Sequence, residues 1–102
     1  MRHPIHLASS EGKTRPVVVL TREGVRDQRL QWTVAPVTSR VRGLVSEVAV
    51  GPANGIDRAS VVNCDNVQTL PRHAIGRRLG ALDAEQDRAL AVAILEAFDL
   101  DA

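Results

Sequence analysis

An arginine, a proline and then an unbroken run of β-branched and aliphatic residues, Arg15-Pro16-Val17-Val18-Val19-Leu20-Thr21, constrain this chain more than any other stretch. Consecutive apolar residues leave no polar face, so the segment predicts a strand buried on both sides. Proline at its second position is tolerable near a strand start, where no ladder donor is required. It also fixes the backbone next to Arg15, a rigid mount suited to a guanidinium that must meet an anion in a defined geometry.

The other segments follow from similar signals. Residues 31–38 and 44–50 predict two further strands, and 59–64 and 66–70 two short ones around Asp65-Asn66. The charged stretch Arg22 to Arg29 lacks apolar periodicity and predicts a loop whose arginines are mobile and solvated. Gly51-Pro52-Ala53-Asn54-Gly55 is dense in turn signals. Asp83 followed by Gln86 has the form of a capping box, and Leu90, Ile94, Ala97 and Phe98 recur at helical spacing, predicting a helix over 83–98. The expectation is a mainly β chain with a C-terminal helix packed on a small, strongly bent sheet or barrel, in one domain over residues 1–102.

Trp32 and Phe98 are the only aromatic residues, so Val, Leu, Ile and Ala must supply the core. Exposed aromatic platforms for stacking bases are not expected. A lone cysteine, Cys64, excludes an internal disulfide and fits a reducing compartment. No apolar run is long enough to span a bilayer and the first ten residues lack a signal core, which predicts a cytoplasmic protein.

The net charge of +1 conceals a division along the chain. Residues 1–43 carry eight basic and three acidic side chains, a net of +5; residues 81–102 carry one basic and six acidic, a net of −5. A positive face toward a polyanion is one reading, and mutual neutralisation of the two halves is the other. His3, His6, His73 and Cys64 lack zinc-ligand spacing, which leaves surface histidines and a buried thiol as the expectation. Gly76-Arg77-Arg78-Leu79-Gly80 follows no long strand and opens no helix, so no nucleotide fingerprint and no organic cofactor are implied.

Four blocks, "RPVVVL", "VAPVTS", "SVVNCDNVQTL" and "LDAEQDRALAVAILEAF", stand in an order and spacing that resembles the MazF/PemK family of bacterial toxins from Lys13 to Leu100. The resemblance implies an SH3-like barrel, a homodimer, and a metal-independent, sequence-selective endoribonuclease. Its implied partners are single-stranded RNA and a cognate antitoxin with an acidic, partly disordered segment whose inhibition weakens with salt. Arg15 and Thr38 match the family's catalytic pair, and Lys13, Thr14, Ser39, Arg40, Arg42, Arg22, Arg26 and Gln68 are the candidate RNA contacts. Taken alone, Arg15 also reads as a solvated strand-end arginine and Thr38 as a turn-capping hydroxyl. Asn63, Asn66 and Gln68 read either as base contacts or as amides satisfying turn backbone. The fold also serves non-enzymatic toxins that bind a protein such as gyrase, and a degenerate RNA-binding homologue is a third possibility.

Two departures stand out. Family members usually open with a strand of the type "RGEIWWVDL", whereas this chain opens "MRHPIHLASS", implying a shortened or altered first strand. Gln68 occupies a position where relatives often carry a charge, which weakens any inherited RNA contact there.

Overall fold

The computed structural model describes residues 2–101. Seven strands, β1 (Pro4–Ser10), β2 (Lys13–Val19), β3 (Gln31–Thr38), β4 (Glu47–Val50), β5 (Ser60–Asn63), β6 (Gln68–Pro71) and β7 (Ile75–Ala81), form one curled sheet, a half-barrel. Two α-helices, α1 (Glu23–Arg26) and α2 (Ala84–Ala97), and three single 3-10 turns complete the described residues. The path runs β4-β5-β3-β2-β1-β7, with β6 pairing β3 beside β5.

The strand order begins with a two-residue hairpin. Ser10 faces Lys13, and the intervening Glu11 and Gly12 have φ of 53° and 76°. Positive φ at both central residues belongs to the type I′ turn, whose twist matches the flanking strands. From that hairpin β1 pairs β2 over six residues and β7 on its other edge. The altered opening sequence still makes a first strand, seven residues long and paired on both sides.

Strand β2 fulfils its sequence reading. Val17 and Val19 enter one core cluster with Ala8, Trp32, Val34, Leu70 and Ile75; Val18 enters the other with Ile5, Ala35, Val37, Val62 and Leu82. Helix α2 covers the second cluster with Leu90 and Ala93. Its capping box is present: Asp83 Oδ1 accepts the Gln86 N–H at 2.7 Å, and Gln86 Oε1 accepts the Asp83 N–H at 2.9 Å. Val92 and Phe98 remain on its exposed side.

Two sequence expectations need correction, and one element has no expectation at all. The stretch after Gly24 is not a loop throughout, because Glu23–Arg26 closes one helical turn. Leu44 to Ser46 lie outside β4, since the chain there bends around the Glu47 carboxylate. Residues 75–81, to which the sequence assigns no element, form β7 because pairing with β1 supplies what local propensity lacks. No helix among the described residues is long and apolar enough to cross a membrane.

Candidate active site

Antiparallel register sets Arg15 and Thr38 at matching positions on neighbouring strands. Strands β2 and β3 pair Val19 with Val34, Val18 with Ala35 and Val17 with Pro36. Two residues past that last pair lie Arg15 on one strand and Thr38 on the other. Pro36, which has no N–H, marks the point where β3 changes partners: residues 31–34 pair with β6, whereas Val37 and Thr38 pair with β5. The strands thus separate where the two side chains sit. Alternation puts Arg15 on the face of Val17 and Val19, and Thr38 on the face of Trp32 and Val34, which is the same face.

Both groups are free to bind an anion. Arg15 is exposed, and among the described residues its guanidinium has no carboxylate within ion-pair distance. Thr38 is half-buried and its Oγ1 accepts the Arg40 N–H at 3.1 Å, which orients the hydroxyl and leaves its proton available. The turn-capping reading of Thr38 is therefore correct as far as it goes, and it leaves the donor unspent.

Beside Arg15 is a hollow of about 120 Å³ whose lining includes Ser10, Glu11, Lys13, Val17 and Gln68. Lys13 and Gln68 thus share this hollow with Arg15. Thr14 does not, because alternation turns it to the opposite face, where its hydroxyl lies 3.3 Å from that of Ser9. Glu11 was not singled out by sequence reasoning. Its only signal is a position before Gly12 between two strands, and the positive φ of the hairpin is what brings Glu11 to the rim of the hollow.

The loop after Thr38 carries Ser39, Arg40 and Arg42, all exposed. It is held from below by Glu47, whose carboxylate accepts the backbone N–H groups of Arg42 at 3.2 Å, Gly43 at 2.9 Å and Leu44 at 3.2 Å. Gly43, at φ 77°, makes the bend that turns these donors toward one acceptor. Ser46 then donates to Asp65 at 2.6 Å, while the Cys64 N–H donates to the Ser46 carbonyl. Asn63 supports this corner as a turn amide, its Oδ1 accepting the Asp65 N–H at 3.0 Å.

Arg22 and Arg26 lie away from this site. Arg22 lines a groove at the opposite end of β3. Arg26 is not mobile: its Nε donates to the Thr21 carbonyl at 3.2 Å, its guanidinium lies 5.8 Å from the Trp32 ring centre, and its Nη2 is buried. His6 and His3 are engaged as well, His6 with the Gly76 carbonyl at 2.9 Å and His3 with Asp87 at 2.9 Å. Cys64 is fully buried, and burial, reinforced by the Asp65 charge, pushes its thiol up to about 11. A thiolate nucleophile at neutral pH is inconsistent with that environment.

The comparisons with known proteins bear on the fold and the family. Residues 3–98 match the family model described as PemK-like, MazF-like toxin of type II toxin-antitoxin system. Endoribonuclease MazF3 of Mycobacterium tuberculosis is 54% identical over 98 residues, spanning 96% of this chain and 94% of that protein. The probable endoribonuclease MazF5 of the same species is 40% identical over 86 residues, 83% of this chain and 79% of its own. Among solved structures, the M. tuberculosis toxin MazF-mt6 superposes with a TM-score of 0.94 at 54% identity, covering 97% of this chain and 99% of that one. A mycobacterial endoribonuclease solved with its cognate antitoxin shares the fold, with a TM-score of 0.88 at 20% identity over 100% of this chain and 97% of its own. Fold, family model and close relatives coincide over nearly the whole chain, which belongs to the PemK-like, MazF-like toxins of type II toxin–antitoxin systems.

Proposed function

We propose that Arg15 and Thr38 are the cleaving pair of this toxin and that Glu11 and Lys13 complete its chemistry. The chain is an RNA-cleaving endoribonuclease of a type II toxin–antitoxin system. The observation that carries the assignment of the pair is their common position two residues beyond the last β2–β3 pair, on one face, with neither the charge nor the hydroxyl proton committed elsewhere.

RNA supplies its own nucleophile, the 2′-hydroxyl. As the 2′-oxygen bonds to phosphorus, its proton passes to the Glu11 carboxylate in the same hollow as Arg15. The phosphorane gains negative charge on its non-bridging oxygens, which Arg15 meets with a fork of donors and Thr38 with one more hydrogen bond. The bond to the 5′-oxygen then breaks as the Lys13 ammonium gives a proton to the departing oxygen, and the proton held by Glu11 returns to Lys13 through water, which restores both groups. Products are a 2′,3′-cyclic phosphate and a 5′-hydroxyl, and no metal takes part in these steps. Arg40 and Arg42, on the loop fixed by Glu47, follow the backbone on the Thr38 side and contribute salt-sensitive affinity. The enzyme works on single-stranded RNA in the cytoplasm, as a homodimer, and an acidic antitoxin segment covers the same cations.

Cleavage of a long mixed-sequence RNA by wild type, Arg15→Ala and Thr38→Ala, in chelator and with fragment ends mapped, tests this. Discrete cuts with cyclic-phosphate and 5′-hydroxyl ends, lost in both variants, are expected. Cutting that survives Arg15→Ala refutes the assignment, and no cutting by wild type leaves a toxin that acts by binding.

A further inference from the structure

At the far end of β3 from Thr38, where α1, the start of β3 and the β6–β7 corner meet, lies an open groove of about 1370 Å³. Sites for small molecules are roughly 300–1,000 Å³, so this one is sized for a stretch of polymer. Arg22, Arg29, Arg72 and His73 line it, no carboxylate does, and among the described residues none of the three arginines has an acidic partner. Such a wall selects a polyanion.

Arg72 differs from an ordinary surface cation. Its guanidinium lies 4.2 Å from the Trp32 ring centre, and its Nη1 reaches the Ile75 carbonyl at 3.5 Å. Trp32 is buried and fixed in turn: its indole N–H donates to the Arg26 carbonyl at 2.9 Å, and His6 meets it edge-on at 5.8 Å. The guanidinium is therefore seated over the indole while Arg72 as a whole remains exposed. A guanidinium held in this way offers an unpaired base the stacking surface that exposed aromatics provide elsewhere. Beside it, the Thr33 and Thr69 hydroxyls lie 3.1 Å apart, a pair able to donate to or accept from a base edge.

We infer that this groove is an RNA subsite that holds an unpaired segment flanking the cleavage site, with a base stacked on Arg72 and phosphates against Arg22 and Arg29. It rests on the reading of the chain as an endoribonuclease and extends it. Gln31 and Thr38 are the two ends of β3, and seven residues at about 3.3 Å each separate them by roughly 20–25 Å. A short oligonucleotide seated at Arg15 does not reach the groove, whereas a longer RNA does. The subsite therefore governs which long RNAs are held and leaves the chemical step alone. An acidic peptide is the rival occupant, but a charge wall alone suffices for a peptide and gives no use to the stacked guanidinium or the hydroxyl pair.

Two RNAs sharing one mapped cleavage site test the subsite, one limited to the site and one with unpaired flanks on both sides. Each is also made with a 2′-deoxy nucleotide at the scissile position, so that affinity is read without cleavage. Arg72→Ala is expected to weaken binding and raise KM for the long RNA about tenfold, with kcat and the short RNA unchanged. Arg72→Lys keeps the charge without the plane and is expected not to restore affinity. Because Arg72 also braces Trp32, the double variant Arg22→Ala/Arg29→Ala serves as an independent probe, expected to reduce the salt slope of long-RNA binding by roughly 1.4. Equal losses on both RNAs overturn the inference. So does unchanged long-RNA affinity accompanied by escape from an acidic antitoxin peptide, or by a change in oligomeric mass. Failure of the catalytic reading is separable, because it abolishes the effect of Arg15→Ala on cleavage and leaves the affinities of the uncleavable RNAs to report on the groove.

Discussion

On the α2 side of the sheet the amides of Asn54 and Gln86 answer one another, whereas on the opposite face a set of arginines is left open. Asn54 and Gln86 exchange amide hydrogen bonds at 2.7 and 3.0 Å, and the remaining amide hydrogens go to the Ala81 and Ala49 carbonyls. The Asn54 oxygen also accepts the Gly51 N–H, so a turn, β7 and the start of α2 are tied at one point. Across the sheet, Arg15, Arg22, Arg29 and Arg72 end without a carboxylate among the described residues. Saturated groups stabilise and offer nothing to a ligand; unsaturated cations repel one another slightly and wait for an anion. Stability and RNA handling are thus assigned to opposite faces, and substitutions should separate them.

The largest effect is expected at Gly80. A Cβ there would meet the Asn54 carbonyl oxygen far inside van der Waals contact, and a Cβ on Gly55, which has φ 85°, would meet the Leu79 carbonyl oxygen. Backbone on both sides cannot yield as a flexible side chain does. Gly80→Ala should cost about 4 kcal/mol or more, read as a lost or strongly lowered denaturant midpoint. Arg15→Ala should do the reverse: a fall in kcat/KM on the order of 10²–10³ with a midpoint within about 0.5 kcal/mol of wild type. A variant at either position that moves both readouts equally would break the division of the two faces.

Next in size is a pH effect confined to the α2 side. The Cys64 thiol ordinarily ionises near 9, and burial, with Asp65 adding to it, raises it to about 11 in the folded protein. Folding therefore favours the protonated thiol. This contribution is fully present below pH 9 and is lost as pH rises through 11, because the unfolded chain ionises first. The loss amounts to about 2–3 kcal/mol. Urea unfolding of wild type and Cys64→Ala between pH 8 and 10.5 should show wild type losing stability more steeply, and parallel pH curves would refute it.

The same division explains what was readable in the sequence. Strand β2 and helix α2 are local statements: three valines in a row and a capping box at Asp83 and Gln86 carry their own signal. Strand β7 is not, because two glycines and two arginines have no strand character of their own; Gly80 is needed for the close approach of Asn54, 26 positions earlier in the chain. The pairing of Arg15 with Thr38 depends on a register that neither block encodes alone, so only the resemblance linked them. Glu11, Glu47 and the Arg72–Trp32 stack were invisible for the same reason, each acquiring its role from a contact.

Glu47 tests the comparison most finely, since it is a saturated group placed on the open side. Its carboxylate gathers the N–H groups of residues 42–44 and so fixes the loop that begins at Thr38 and bears Arg40 and Arg42. Glu47→Ala leaves those donors to water and frees the loop, at a cost of about 1 kcal/mol in stability. Because the Thr38 hydroxyl is oriented by the Arg40 N–H, the same change should raise KM severalfold and lower kcat by less than Arg15→Ala does. Glu47→Gln retains an acceptor oxygen in the same place and should recover most of the loss. Steady-state cleavage of the mapped RNA by the two variants decides the matter. If Glu47→Ala lowers stability while KM and kcat stay at wild-type values, the loop is scaffold only, and Arg40 and Arg42 do not need a fixed backbone to hold RNA.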